Sequence, residues 1–139
     1  MPTRPTISHH TALIYIMVIA AVADGALKDR ELATIGEFVG MLPVFRDYDK
    51  SHTRQAVNDC TSLLDQDDGL DVVLGLARKA LPKKLRETAY ALACDIVAVD
   101  GEARQEELRW LEMLRHGLEV ERLHAAAIER GSRARYTHL

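Results

Sequence analysis

The stretch "ALIYIMVIAAVADGALKDREL", Ala12 to Leu32, decides the fold of this chain. Its first twelve residues are apolar on nearly every side, which is the pattern of a helix buried at the centre of a protein. Asp24 and Gly25 follow, and glycine is common directly after the end of a helix. An amphipathic helix then begins near Asp29. The stretch therefore predicts a helix-loop-helix hairpin whose first helix is central.

The same pattern returns near the other end of the chain, in "ACDIVAVDGEARQEEL", Ala93 to Leu108. Asp, Gly, Glu and Leu stand at the same spacing in both stretches, and the two copies lie seventy-six residues apart. Repeat solenoids recur several times with periods of roughly 20 to 50 residues, so two copies indicate a duplicated hairpin instead. Two such hairpins can pack about a local two-fold axis, which would bring both loops to one end of the molecule.

Length and composition predict a single all-α domain. The chain has 139 residues, only four Pro and eight Gly, and 47% apolar residues. This length supports one domain with a sizeable core, and no stretch alternates as a strand would. We therefore expect a compact all-α bundle of about seven helices, with two pseudo-symmetric helix-loop-helix motifs, that forms a single domain over 1–139. The basic stretch at 131–139 is expected to be a flexible tail, with an anion-binding arm as the alternative.

The apolar periodicity places the helices and their inward residues. Thr6 or Ser8 is expected to cap the first helix, and Ser51 the third. The sixth helix is expected over about 105–115, with Leu108, Leu111 and Leu114 inward and Trp110 in the core. The last helix is expected over about 119–130. "DQDDG", at 65–69, is expected to be a polar turn, with a cation-binding stretch as the alternative.

Charge and cysteine content exclude several protein classes. The net charge of -3 and the pI near 6.1 do not fit a nucleic-acid-binding protein, which usually has a basic face. The apolar run at 12–23 is shorter than the roughly 20 residues of a membrane span, and the flanks of a secretory signal are missing. Cys60 and Cys94 are expected to be buried, reduced thiols of a cytoplasmic protein.

Each repeated motif matches the second half of a calcium-binding loop. Asp, Gly, an apolar residue and a final Glu occupy the places that correspond to positions 5, 6, 8 and 12 of an EF-hand. The first half is missing, because Ala20, Val22, Ile96 and Ala98 have no side-chain oxygen. One loop alone offers too few oxygens for Ca²⁺, which takes about 6 to 8.

Two loops that face each other would gather four carboxylates, from Asp24, Glu31, Asp100 and Glu107. Without a cation these groups would repel one another and raise one another's pKa. A metal ion or a basic partner is therefore expected where they converge.

A plain helix-terminus interpretation remains open beside the metal site. Glycine after a helix is ordinary, and a glutamate in the first helical turn favours the helix dipole. A capping box, however, needs Ser, Thr, Asp or Asn three residues before the glutamate. Lys28 and Arg104 occupy those positions, so we do not expect capping to explain Glu31 and Glu107.

The two stretches "AAVADGALKDREL" and "DIVAVDGEARQEEL" resemble the double signature of the TerB-like family, which is named for a tellurite-resistance protein. The resemblance covers most of the chain. It implies a single helical domain, a surface formed by the paired motifs that binds a divalent cation such as calcium or magnesium, and membership of a stress-response complex. That complex would lie in the cytoplasm or at the periphery of the inner membrane.

By motif position, the resemblance assigns Asp24, Glu31, Asp100 and Glu107 as metal ligands. Lys28, Arg30 and Arg104 lie close to the loops and would weaken the affinity, while Asp29, Glu102 and Glu106 are auxiliary carboxylates. These residues are compatible with three classes of function.

The leading expectation is a non-enzymatic cation-binding protein with protein partners, no bound nucleic acid and no transmembrane segment. The alternative is a metal-independent acidic interaction module. An enzyme that uses these carboxylates to hold a catalytic metal is the third class, but no nucleophile or substrate-site motif supports it. His9 and His10 are expected to be a solvated helix start, and His116, His124 and His138 form no metal-ligand array.

Overall fold

The computed structural model describes residues 6–99 and 105–139, apart from the side chain of Asp24. Within these ranges the chain forms α1 (His9–Ala21), α2 (Asp29–Met41), α3 (Thr53–Leu64), α4 (Gly69–Ala80), α5 (Lys83–Ala98), α6 (Gln105–Gly117) and α7 (Arg122–Arg135). Three short 3₁₀ turns lie at Val22–Asp24, Pro43–Phe45 and Lys50–His52. The expected all-α bundle of about seven helices is confirmed.

Helix α1 lies at the centre of the bundle. Every residue from Ala12 to Ala21 is at most 4% exposed. The helix packs most extensively on α5 and then on α4 and α3, because a helix that is apolar on all sides must be covered on all sides. The Ser8 hydroxyl accepts the N–H of Thr11 at 3.1 Å, which confirms Ser8 as the cap. None of the helices in the described ranges is long and apolar enough to cross a membrane.

The connection before α3 differs from the expectation. Ser51 does not cap α3, because both its N–H and its hydroxyl donate to Oδ1 of Asp49, at 3.0 and 2.7 Å. Asp49 instead caps the 3₁₀ turn Lys50–His52, and α3 begins directly after that turn. The carboxylate of Asp49, two residues before Ser51, therefore acts as the cap in this connection in place of the serine.

The expectation of a solvated start at His9 and His10 is wrong for His10, which is only 8% exposed. Its Nε2 lies 2.9 Å from the carbonyl oxygen of Val44 and 3.2 Å from Oδ1 of Asp47. Since a carbonyl oxygen can only accept, Nε2 carries the hydrogen and donates it. His10 therefore ties α1 to the connector between α2 and α3.

Two expectations about the last helices are corrected. Leu108 was expected to face inward but is 50% exposed. Helix α7 continues to Arg135 and so includes the first five residues of the stretch expected to be a tail. This extension is packed against the rest of the bundle, since Ser132 is only 2% exposed. Nη2 of Arg135 also lies 2.7 Å from Oδ1 of the buried Asp95 on α5.

The turn between α3 and α4 is tight at Gly69. Asp68 before it has a φ of 58°, in the left-handed region. A Cβ added to Gly69 would lie 2.3 Å from the carbonyl oxygen of Leu63 and 2.7 Å from that of Leu64. Both oxygens belong to the backbone of α3, so neither can move aside cheaply. The close approach of α4 to the end of α3 therefore requires glycine at this position.

We expect the Gly69→Ala variant to lower the free energy of unfolding by about 1–3 kcal/mol, the usual range for an overpacked site. Gly75→Ala is the matched control, because Gly75 lies in the same helix and a Cβ there would meet nothing within 4 Å. The control is expected to gain about 0.5–1 kcal/mol from helix propensity. Urea denaturation of both variants measures the difference, and equal effects would contradict the close approach.

Candidate cation site at the paired motifs

Each motif joins a central helix to a peripheral one. In the first, α1 passes through the 3₁₀ turn Val22–Asp24 and Gly25 into α2. Gly25 has a φ of 121°, a conformation open to glycine and strained for other residues. Its N–H donates to the carbonyl oxygen of Val22 at 2.9 Å. In the second motif, α5 leads to α6 through residues 100–104, which lie outside the described ranges.

The two hairpins pack in a reciprocal way. The incoming helices, α1 and α5, form the most extensive helix pair of the described chain. Each outgoing helix then contacts both incoming helices, since α2 touches α1 and α5, and α6 touches α5 and α1. This is the pattern expected of two hairpins related by a local two-fold axis.

Trp110 connects the second motif to the first. Its indole Nε1–H donates to the carbonyl oxygen of Ile19, which is one of the last four residues of α1, where carbonyl groups are short of intrahelical donors. The 3₁₀ turn Val22–Asp24 also packs against α6. Trp110 follows Glu107 by three residues, so the first turn of α6 lies close to the loop of the first motif.

Glu31 lies in the first turn of α2 and is only 6% exposed. Its Oε1 accepts the backbone N–H of Lys28 at 3.0 Å, which is one half of a capping box. Our expectation that capping would not explain this glutamate is therefore wrong for Glu31. A glutamate can accept the N-cap N–H whatever the side chain at the N-cap is. Its charge also lies near the positive end of the α2 dipole.

The structure describes only some of the other residues that were expected to be ligands. Glu107 is partly buried in the first turn of α6, the place that Glu31 holds in α2. Lys28, Arg30, Glu31 and Glu107 all take part in hydrogen-bonding or electrostatic interactions. The side chain of Asp24 and the whole of Asp100 lie outside the described atoms, as do Glu102 and Arg104.

The described atoms therefore contain two of the four expected ligands. Among these atoms, no three His, Cys, Asp or Glu side chains form a group that could hold a metal ion. Asp29 and Glu106 are exposed, as auxiliary carboxylates at a surface would be.

A cavity of about 350 Å³ adjoins the loop of the first motif. Gly25 and Leu27 line it from the loop, Asp65 from the end of α3, and Trp110 from α6. The sequence places Asp65 in a stretch that is expected to be a polar turn, with cation binding as the alternative. Its position beside the first motif depends on the packing of α3 against α1, for which the local sequence gives no signal.

The two thiols behave as the sequence predicted. Cys60 and Cys94 are free and buried, and burial raises the pKa of each thiol to about 12. The thiolate is the reactive form of cysteine, and very little of it exists at neutral pH when the pKa is this high. Neither residue is therefore suited to be a nucleophile in the folded chain.

Comparison of the chain with protein-family models, with curated proteins and with solved structures finds no match. The resemblance to the TerB-like family accordingly rests on the two sequence motifs alone.

We expect the Trp110→Phe substitution to lower the free energy of unfolding by about 1–3 kcal/mol, because it leaves the Ile19 carbonyl without its indole donor. Leu123→Ala is the control, since the Leu123 side chain is 70% exposed and surface changes are usually within about 0.5 kcal/mol. Thermal and urea unfolding measure both variants. A Trp110→Phe variant as stable as the control would contradict the link between the motifs.

We also expect both cysteines to resist iodoacetamide at pH 8 in the folded protein, because the raised pKa keeps the thiols protonated and burial blocks the reagent. The same thiols should react rapidly in about 6 M guanidinium chloride, a concentration that unfolds most domains. Mass spectrometry of the alkylated peptides distinguishes the two residues. Rapid labelling of either under native conditions would show that its site is open.

Proposed function

We propose that this chain is a TerB-like, non-enzymatic protein that binds a divalent cation, calcium or magnesium, through its duplicated Asp-Gly-x5-Glu motifs. In this proposal it acts with protein partners in a stress-response assembly, in the cytoplasm or at the inner membrane. The observation that carries the proposal is the reciprocal packing of the two hairpins, in which Trp110 of the second hairpin contacts the end of α1 in the first.

The reciprocal packing supports a shared site because it relates the motifs to each other. Glu31 and Glu107 each lie in the first turn of an outgoing helix, and each of these helices contacts both incoming helices. Ligands at equivalent positions of two such hairpins are related by the same rotation. Asp24 and Asp100, which precede the glycines, would then complete a set of four carboxylates.

The capping bond of Glu31 is compatible with this role. A carboxylate has two oxygens with about four lone-pair sites, so it can accept an N–H and also bind a hard cation. Oxygen ligands of this kind are the ones that Ca²⁺ and Mg²⁺ take. Lys28 and Arg30, which flank the first loop, lower the affinity through their positive charge. We therefore propose weak binding of the cation.

Thermal unfolding with Ca²⁺, Mg²⁺, Mn²⁺ or a chelator tests the proposal. A cation that binds only the folded state must raise the melting temperature, and at 100 times its Kd it adds about 2.7 kcal/mol of stability. We expect a rise with at least one ion and no rise in the double variant Asp24→Asn, Asp100→Asn. The double variant Asp67→Asn, Asp71→Asn removes two exposed carboxylates elsewhere on the chain and should keep the rise.

The single tryptophan gives an independent signal. Trp110 contacts the first motif and lines the cavity beside its loop, so its fluorescence should change as the ion titrates the site. No melting shift and no fluorescence change with any of the three ions would contradict cation binding. Salt-sensitive binding of a polylysine peptide that survives the chelator would then favour the metal-independent acidic module.

A further inference from the structure

Helices α5, α6 and α7 enclose an open groove with a volume of about 540 Å³. This volume falls within the range of roughly 300–1,000 Å³ that small-molecule sites occupy. Each helix presents one face to the groove. The wall formed by α5 and α6 is largely apolar and consists of Val97, Ala98, Leu108 and Leu111.

Leu108 shows that this wall lacks a cover in the described chain. Its spacing from Leu111 and Leu114 predicts an inward position, but half of its surface is exposed. Leu108 lines the groove together with Leu111, which is only 8% exposed. An apolar surface of this kind, bordered by polar groups, is typical of a binding site.

Helix α7 supplies a polar wall opposite. The Oγ atom of Ser132 is buried and has no hydrogen-bond partner within the described part of the chain. A buried hydroxyl without a partner is costly, and such groups in native structures call for an explanation. The next residue, Arg133, also lines the groove. In contrast to Arg115 and Arg135, it forms no ion pair with any residue in the described ranges.

The acidic side chains that line the groove already have partners. Glu129 accepts the Tyr90 hydroxyl at 2.5 Å, and burial together with this bond raises the pKa of Tyr90, which keeps it a donor. Glu112 lies 2.8 Å from Nη2 of Arg115, whose hydrogen bond lowers the pKa of that carboxyl. The guanidinium of Arg133 is therefore the fixed charge of this groove that lacks a partner.

We propose that the groove between α5, α6 and α7 binds a monocarboxylate with an apolar chain. Arg133 pairs with the carboxylate, the Ser132 hydroxyl rotates about its Cα–Cβ bond to donate to it, and the chain lies along Leu108 and Leu111. The guanidinium is well suited to this group because its planar N–H donors match the carboxylate geometry. The groove adjoins the second motif through Leu108, whereas the residues that bind the head group, Ser132 and Arg133, lie on α7 outside both motifs. Binding at this site does not depend on cation binding.

Binding at this site is non-covalent. Cys94 is the thiol in the groove, and burial raises its pKa to about 12. A protonated thiol is a poor nucleophile, so it contributes apolar surface rather than chemistry. The hydroxyl of Tyr90 stays protonated for the same physical reason and keeps its bond to Glu129.

Calorimetric titration of the full chain with decanoate, decylamine and decanol, each below its micellar concentration, tests the proposal. The three probes share an apolar chain and differ in head-group charge. We expect decanoate to bind at least about tenfold more tightly than either of the others, the factor that one charge-assisted contact provides. Equal binding of the three, or preference for decylamine, would overturn the proposal.

Matched variants locate the site. Arg133→Gln should weaken decanoate binding about tenfold or more, whereas Arg130→Gln, an exposed arginine of the same helix that does not line the groove, should not. Leu108→Ser should weaken binding, and Leu123→Ser on the exposed part of α7 should not.

Ser132→Ala separates a ligand contact from a structural one. It removes a hydroxyl that has no protein partner in the described chain, so the melting temperature should not fall while decanoate binding weakens. A variant that melts lower and binds decanoate unchanged would overturn the role of Ser132. We expect variants that lose decanoate binding to keep the melting shifts with Ca²⁺, Mg²⁺ or Mn²⁺. The two proposals can therefore be tested separately.

Discussion

The burial of α1 on every side is the constraint on which the rest of the structure depends. Side chains such as Leu13, Ile14 and Ile16 have no exposed surface, and full burial of a side chain of this size contributes roughly 1.5–3 kcal/mol. The gain exists only if neighbouring helices cover α1 completely. The positions of α3, α4 and α5 follow from this requirement, and α5 in turn provides the second central surface, on which α6 and α7 pack.

This arrangement also explains why the helices of the two hairpins contact each other. Each motif begins where a central helix ends, and the central helices α1 and α5 pack against each other. Their outgoing helices must then cross onto the partner hairpin. The bond from Trp110 to the end of α1 is one result. The turn at Gly25, with its φ of 121°, connects α1 to α2 within a few residues.

Much of the fold could be predicted from the sequence, because the main signals are local and strong. The apolar run of α1, the cap at Ser8 and the glycine after the first hairpin helix each act within a few residues. The failures concern residues whose environment is set by distant contacts. His10 is buried by the carbonyl of Val44, and the end of α7 is held by Asp95 on α5. Leu108 follows helical periodicity, yet its face meets a groove instead of another helix.

The candidate site was predictable only to the extent that it repeats. Spacing alone identified Glu31 and Glu107 as equivalent residues, and both lie in the first turn of an outgoing helix. It did not show that the Lys28 N–H would donate to Glu31, because the capping-box rule also requires a side chain at the N-cap that can accept a hydrogen bond, and lysine has none. Nor did it connect Asp65 with the first loop, because that proximity depends on how α3 packs against α1.

The central position of α1 has a consequence for motion. Its amide hydrogens are buried while the surrounding helices remain docked, so they should be among the slowest of the chain to exchange with deuterium. The first loop is attached directly to the end of this buried helix. A displacement of that loop would therefore act on α1 and, through the packing of α1 on α5, on the opposite hairpin.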